Sequence, residues 1–173
     1  EDVVNTVLDK FVHDSTNPGG EGDMSILVSI DESWEEEGPL PVYIYNHGMG
    51  RGGSNGDDFA SVQTACGGTA LAKLQMENPG KYNAHIIVTQ NHTSNEANYQ
   101  ALIAYVEKMA EEGMVDLDRV YMSGFSMGSR YTMNFFKSHP EFLAAIVPIS
   151  GTCDGNMPSI DQLKENPEYA KTA

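Results

Sequence analysis

Basic residues are scarce in this chain of 173: ten lysines and arginines stand against 25 aspartates and glutamates, a net charge of −15. A surface of that sign repels nucleic acid and anionic lipid and favours solubility, which excludes polyanion binding as a role. Cysteine is scarcer still. Cys66 and Cys153 are too few for a disulfide framework or a zinc site, and they read most simply as two free thiols. A single bridge is the alternative, because each lies beside a strand end expected on the same rim of a parallel sheet. Long apolar runs are missing as well. Stretches such as Ala144 to Pro148 fall far short of a membrane span, and no basic segment followed by an apolar one opens the chain at Glu1. That start fits a mature end left after removal of a leader equally well, so it does not argue for the cytoplasm.

What remains is enough for one compact domain over residues 1–173, with 40% hydrophobic residues to fill its core. The first 23 residues are polar and close on the turn cluster Asn17-Pro18-Gly19-Gly20-Glu21-Gly22. Strands are expected from there on. Met24 to Ile30 alternates and is β-branched, Glu35-Glu36-Glu37-Gly38-Pro39 interrupts it as a solvated hairpin or loop, and Leu40 to Asn46 is a second strand running into glycine-rich sequence. Residues 60–77 read as a helix weakened by Gly67-Gly68, followed by an Asn78-Pro79-Gly80 stop and a short strand from His85 to Thr89. Ala97, Leu102, Ile103, Val106, Met109 and Ala110 give a helical spacing over Asn95 to Glu112, with Gly113 as its stop.

Val120 to Ser123 is then a strand, Met127 to Ser138 a helix ended by His139-Pro140, and Ala144 to Ile149 a fully buried strand. A short helix is expected over Ser159 to Glu165. Strands alternating with crossover helices imply an open, mostly parallel sheet with helices on both faces.

The pentapeptide Gly124-Phe125-Ser126-Met127-Gly128 fits G-x-S-x-G and lies between an expected strand and an expected helix. Small residues at both glycine positions let such a turn tighten, so that the serine hydroxyl stands clear of the sheet at a helix N-terminus. Backbone N–H groups there favour a developing oxyanion, and the N–H of Met127 is the first expected donor. The second is expected from the loop Asn46-His47-Gly48-Met49-Gly50-Arg51-Gly52-Gly53, with Met49 as the donor. A phosphate cradle is the alternative use of such a loop, but the G-x-x-x-x-G-K-[ST] spacing is absent. His47 is read as structuring the loop rather than as a base. Nothing calls for a cofactor or a metal ion.

The run DLDRVYMSGFSMGSRYTMNFFKSHPEFLAAIVPISG, with PVYIYNHGMGRGG upstream, resembles the polyhydroxybutyrate depolymerase, feruloyl esterase and acetylxylan esterase group of α/β-hydrolases over about residues 40–151. It is also similar to catalytic domains of the prolyl-oligopeptidase type. The resemblance implies an α/β-hydrolase fold and ester hydrolysis through a serine acyl-enzyme. Plant-polysaccharide acetyl or feruloyl esters, or polyesters, are the implied substrates, and a secreted or extracytoplasmic location is implied with them.

The resemblance also implies a triad in the order serine, acid, histidine, and here the chain departs from it. Of five histidines, His13, His47, His85, His92 and His139, only His139 follows Ser126, and it lies at the far end of the helix that starts beside the serine. At 1.5 Å per residue that is roughly 18 to 20 Å away. His92, after the HIIVT strand, is on the correct rim but breaks the order, and Asp154 is the candidate acid. The favoured account is a chain lacking the last strands, which continue in a longer hydrolase and would otherwise leave an exposed sheet edge open to association. A second subunit supplying the missing parts is another account, and a non-catalytic binding domain on the same scaffold is the rival from a different class. A peptidase is the alternative within the enzyme reading.

Overall fold

The computed structural model describes residues 10–13, 25–49, 67–90, 94–151 and 158–168. Among the described residues six strands form one sheet: β1 (Val12–His13), β2 (Ser25–Ser29), β3 (Leu40–Asn46), β4 (His85–Gln90), β5 (Val115–Phe125) and β6 (Ala145–Ile149), in the order β1-β2-β4-β3-β5-β6. β1 and β2 are antiparallel to their neighbours, and β4, β3, β5 and β6 run parallel. Parallel neighbours need crossovers, which helices supply. The helices are α1 (Trp34–Glu37), α2 (Gly67–Glu77), α3 (Glu96–Glu111), α4 (Met127–Ser138) and α5 (Ile160–Glu165), with a 3₁₀ turn at Pro140–Phe142.

Side chains alternate across the sheet, so each strand feeds two cores. Val42, Ile44, Val120 and Met122 point to one face and pack with Tyr99, Leu102, Val106, Tyr131 and Phe135 of α3 and α4. Tyr45, Ile86 and Val88 point to the other and pack with Leu27, Phe11 and Ala72 of α2. Burial of Asn98, Tyr99, Ala101, Leu102, Tyr105, Val106 and Met109 marks the inner stripe of α3, while Ala97 is exposed. Edge-on ring contacts of Tyr99 with Tyr131 and Phe135, centroids 5.4 and 5.2 Å apart, lock α3 to α4. Among the described residues no helix is long and apolar enough to cross a membrane.

Several local expectations change. The acidic run is one helical turn, α1, whose chain reverses at Gly38 with φ 87°. A strand, β1, lies within the polar first 23 residues, because two residues paired to Val28 and Leu27 leave no pattern to read. β5 begins at Val115 rather than Val120. Between Leu40↔Val115 and Val42↔Val120 a two-residue step on β3 faces a five-residue step on β5. The polar segment inside that bulge is held by Arg119, whose Nε donates to Asp116 at 2.6 Å and whose guanidinium donates to the Pro39 carbonyl at 2.7 Å. β6 was expected to be fully buried and is not. It is the outer strand of the described sheet, with Val147 56% and Ile149 41% exposed. The N-terminal part of the expected helix, residues 60–66, lies outside the described residues, as do Cys66 and Cys153.

Candidate active site

β5 delivers Ser126 to the rim where the parallel strands end, and α4 starts at the next residue. The turn between them is tight enough to force Ser126 to φ 54°, ψ −108°, a conformation that L-residues seldom adopt. Its N–H donates to the Ile149 carbonyl at 2.9 Å, and its carbonyl accepts from Arg130 N–H at 3.2 Å, which opens the helical ladder of α4. Both flanking glycines are there because nothing larger fits. A Cβ on Gly124 would lie 2.3 Å from the Gly128 carbonyl oxygen, and one on Gly128 would lie 2.0 Å from that of Asn46. Ser126 thus stands in a tight strand-to-helix turn, half-buried and presented at a helix N-terminus whose first N–H groups have no helical partner.

Gly48, just after β3, lies against this turn. A Cβ on Gly48 would meet the Phe125 ring at 3.0 Å and the Phe125 carbonyl oxygen at 3.3 Å, so Gly48 packs close against Phe125, some 75 positions later in the chain. Met49 follows at 80% exposure and Met127 begins α4, while Gly50 to Gly53 lie outside the described residues. His47 is buried, and its Nδ1 donates to the Gly48 carbonyl at 2.7 Å. Burial pushes its pKa below the usual imidazole value, partly offset by that bond. His47 is therefore a neutral brace of the loop.

The remaining described histidines are elsewhere. His85 sits at the opposite rim, where β4 begins, accepting from Asp31 N–H at Nδ1 (3.2 Å) and donating from Nε2 to the Met114 carbonyl (3.0 Å). Burial lowers its pKa too, against the pull of the Met114 carbonyl and of Asp31. His139 caps the far end of α4, where Nε2 meets Glu96 at 3.1 Å and Nδ1 lies 3.5 Å from Glu141. His13 belongs to the outer strand β1. His92 and Asp154 lie outside the described residues. Among the described residues no group of three or more His, Cys, Asp or Glu side chains is gathered to hold a metal ion.

A polar cluster beneath the elbow had no signal in the sequence. Asn46, fully buried, donates from Nδ2 to the Ser123 carbonyl (3.2 Å) and to Thr132 Oγ1 (3.0 Å), and its Oδ1 accepts from Thr89 Oγ1 (2.6 Å). The strand assignment alone makes Asn46 the last residue of β3, but only pairing brings Thr89 and Thr132 to it.

The strand order, the crossovers and the elbow at the end of β5 decide the architecture. The chain has the α/β-hydrolase fold. Its backbone superposes on a thermostable esterase with a TM-score of 0.72 and 19% identity, covering 96% of this chain and 46% of that one. An acetyl xylan esterase from Aspergillus awamori matches with a TM-score of 0.62 and 14% identity over 88% of this chain and 56% of that one. A ferulic acid esterase matches at 0.56 and 16% over 82% and 58%. The chain spans about half the length of these α/β-hydrolase structures. No protein-family model and no curated protein matches it by sequence.

Proposed function

We propose that this chain carries the nucleophile and oxyanion half of a serine esterase. The observation behind the proposal is the backbone of Ser126, held at φ 54° between two glycines that touch main chain and opposite the His47-Gly48-Met49 loop. Strain of that kind costs about 1–3 kcal/mol and persists where it sets the geometry of a reacting group. Ser126 Oγ attacks the ester carbonyl carbon and forms an acyl-enzyme. Its proton passes through a histidine to the departing alkoxide, and the carbonyl oxygen, now an oxyanion, rests on the N–H groups of Met49 and Met127. Water, activated by the same histidine, then releases the acid.

His85 lies at the opposite rim, His139 at the far end of α4 and His13 on β1, and His47 is buried with its Nδ1 on the Gly48 carbonyl, so the base is assigned to a histidine beyond the described residues. In the chain order usual for this fold it follows the acid, which favours the remainder of a longer protein over His92; Asp154 is the nearest acid in that order. Carbohydrate acetyl or feruloyl esters are the proposed substrates, supported by the likeness to an acetyl xylan esterase and a ferulic acid esterase, with polyesters beside them; such substrates suit a secreted or extracytoplasmic enzyme.

A fluorophosphonate probe should label Ser126 in the full encoded protein, and Ser126→Ala should abolish both labelling and hydrolysis of 4-nitrophenyl acetate. Hydrolysis that survives Ser126→Ala would overturn the proposal. The 173-residue chain expressed by itself should show little turnover, because an elbow serine without its histidine keeps only the oxyanion and binding contributions. Full activity of that shorter chain would move the base to His92, which His92→Ala would then report.

A further inference from the structure

The helix-facing side chains of the central strands lie in rows across the sheet. One row consists of Ile87, Ile44 and Met122, side by side on β4, β3 and β5, all apolar and all in the core under α3 and α4. The next row toward the active-site rim consists of Thr89, Asn46 and Gly124. Packing alone would continue the apolar pattern, since a buried amide is costly unless it is fully hydrogen-bonded. Asn46 has 0% exposure and is given partners on three different elements.

The protons of this cluster have one consistent arrangement. Thr89 Oγ1 donates to Asn46 Oδ1, the Asn46 amide donates to the Ser123 carbonyl and to Thr132 Oγ1, and Thr132 Oγ1 donates onward to the Gly128 carbonyl at 2.9 Å. One side chain thereby ties β3 to β4, to β5 two residues before Phe125, and to α4 through Thr132 and Gly128. The Asn46 main chain is also the surface against which Gly128 is pressed. Residue 46 directly precedes His47-Gly48-Met49, and Gly128 directly follows Met127. The Asn46 network therefore links the segment that leads into Met49 to the first turn of α4.

That separation matters because hydrogen bonds weaken steeply once donor and acceptor part by more than about 3.2 Å, and a misplacement of about 1 Å near the chemistry costs on the order of a hundredfold in rate. We infer that Asn46 is a positioning residue, which through Thr132 and Thr89 holds the Met49 loop at working distance from the N-terminus of α4 so that both N–H groups reach one oxyanion. This inference rests on the esterase reading given above.

Kinetics of 4-nitrophenyl acetate hydrolysis by the full encoded protein test it, with thermal unfolding measured on every variant. Asn46→Ala and Asn46→Leu should lower kcat about 10- to 100-fold with KM changed less than about threefold, because ground-state binding is left in place while an interaction specific to the transition state is lost. Thr132→Val should lower kcat about tenfold and Thr132→Ser, which restores the hydroxyl, should return it to near the wild-type value. The double variant Asn46→Ala with Thr132→Val should be hardly worse than Asn46→Ala alone, since both break one network.

If Asn46 and Thr132 variants melt at lower temperature but keep kcat within about twofold of wild type, the cluster serves stability only and the inference fails while the esterase reading stands. If Asn46→Ala does not fold, the pair Thr132→Val and Thr132→Ser decides: equal kcat in both overturns the inference, a loss confined to valine supports it. A wild-type protein with no Ser126-dependent turnover would sink the esterase reading and this inference together.

Discussion

Ser126, like Ser150 among the described residues, departs from relaxed geometry, with φ at 54° on a residue that has a Cβ. Relief of that strain is worth about 1–3 kcal/mol, whereas glycine in its place raises the entropy of the unfolded chain by about 0.5–1 kcal/mol. Ser126→Gly should therefore abolish hydrolysis yet raise the unfolding free energy by about 1 kcal/mol, read from urea denaturation midpoints; a drop in stability would contradict the strain argument. The opposite holds at Gly128, where a Cβ would be driven to 2.0 Å from a backbone carbonyl that cannot yield as a flexible side chain would. Gly128→Ala should cost about 1–3 kcal/mol by overpacking and should separate the elbow from the Met49 loop, lowering activity beyond the stability loss. The strand-to-helix turn at Ser126 was legible because its requirement is local: a strand-like run, a glycine-flanked serine and a helical run in direct succession. The hydrogen bonds among Asn46, Thr89 and Thr132 were not, because a buried amide and two hydroxyls carry no pattern until pairing brings them together.

Helix α3 illustrates what the element scale adds. Asn95 has extended backbone, φ −143°, ψ 159°, and its side-chain oxygen accepts from Asn98 N–H at 2.8 Å, the geometry of an N-cap. Asn95→Ala should cost about 1 kcal/mol in chemical denaturation, while Asn95→Asp or Asn95→Ser should cost little; an alanine variant as stable as wild type would mean that tertiary packing alone holds the first turn. The same helix stops where Gly113 takes φ 82°, the stop its sequence position suggested. α3, α4 and β3 were legible because each carries a long regular pattern and clear end signals. β5 was legible only in its regular part. The bulge that admits Asp116 to Arg119 depends on β3 alongside it and on Arg119 reaching back to Pro39, 80 positions earlier in the chain.

At the scale of the whole molecule, two buried histidines make the fold sensitive to mild acid. Burial lowers the pKa of both His47 and His85, so in the folded protein they resist a proton that the unfolded chain accepts near pH 6.5. With folded values below unfolded ones, the stability they confer is complete above about pH 6.5 and falls as pH drops through that value toward their folded values. Asp116, held low chiefly by its hydrogen bond from Arg119, acts in a lower window, below about pH 4. Urea midpoints should thus decline between about pH 7 and 5, with net proton uptake on unfolding at about pH 5.5 and essentially none at about pH 7.5, measured calorimetrically in buffers of different ionisation enthalpy. Flat stability across that range would refute the assignment.

The sequence by itself determined that the chain is strongly acidic, that it alternates strands with helices, and that Ser126 stands at a strand-to-helix turn. Each of these follows from composition, from periodicity over a few turns, or from residues adjacent along the chain. Tertiary structure alone decided that β1 exists, that β6 is an exposed outer strand rather than a buried one, that His85 belongs to the far rim and that Asn46 joins three elements beneath the elbow. The physical reason is range: strand pairing, burial and the satisfaction of buried polar groups depend on partners tens of residues away, which only the folded chain brings into contact.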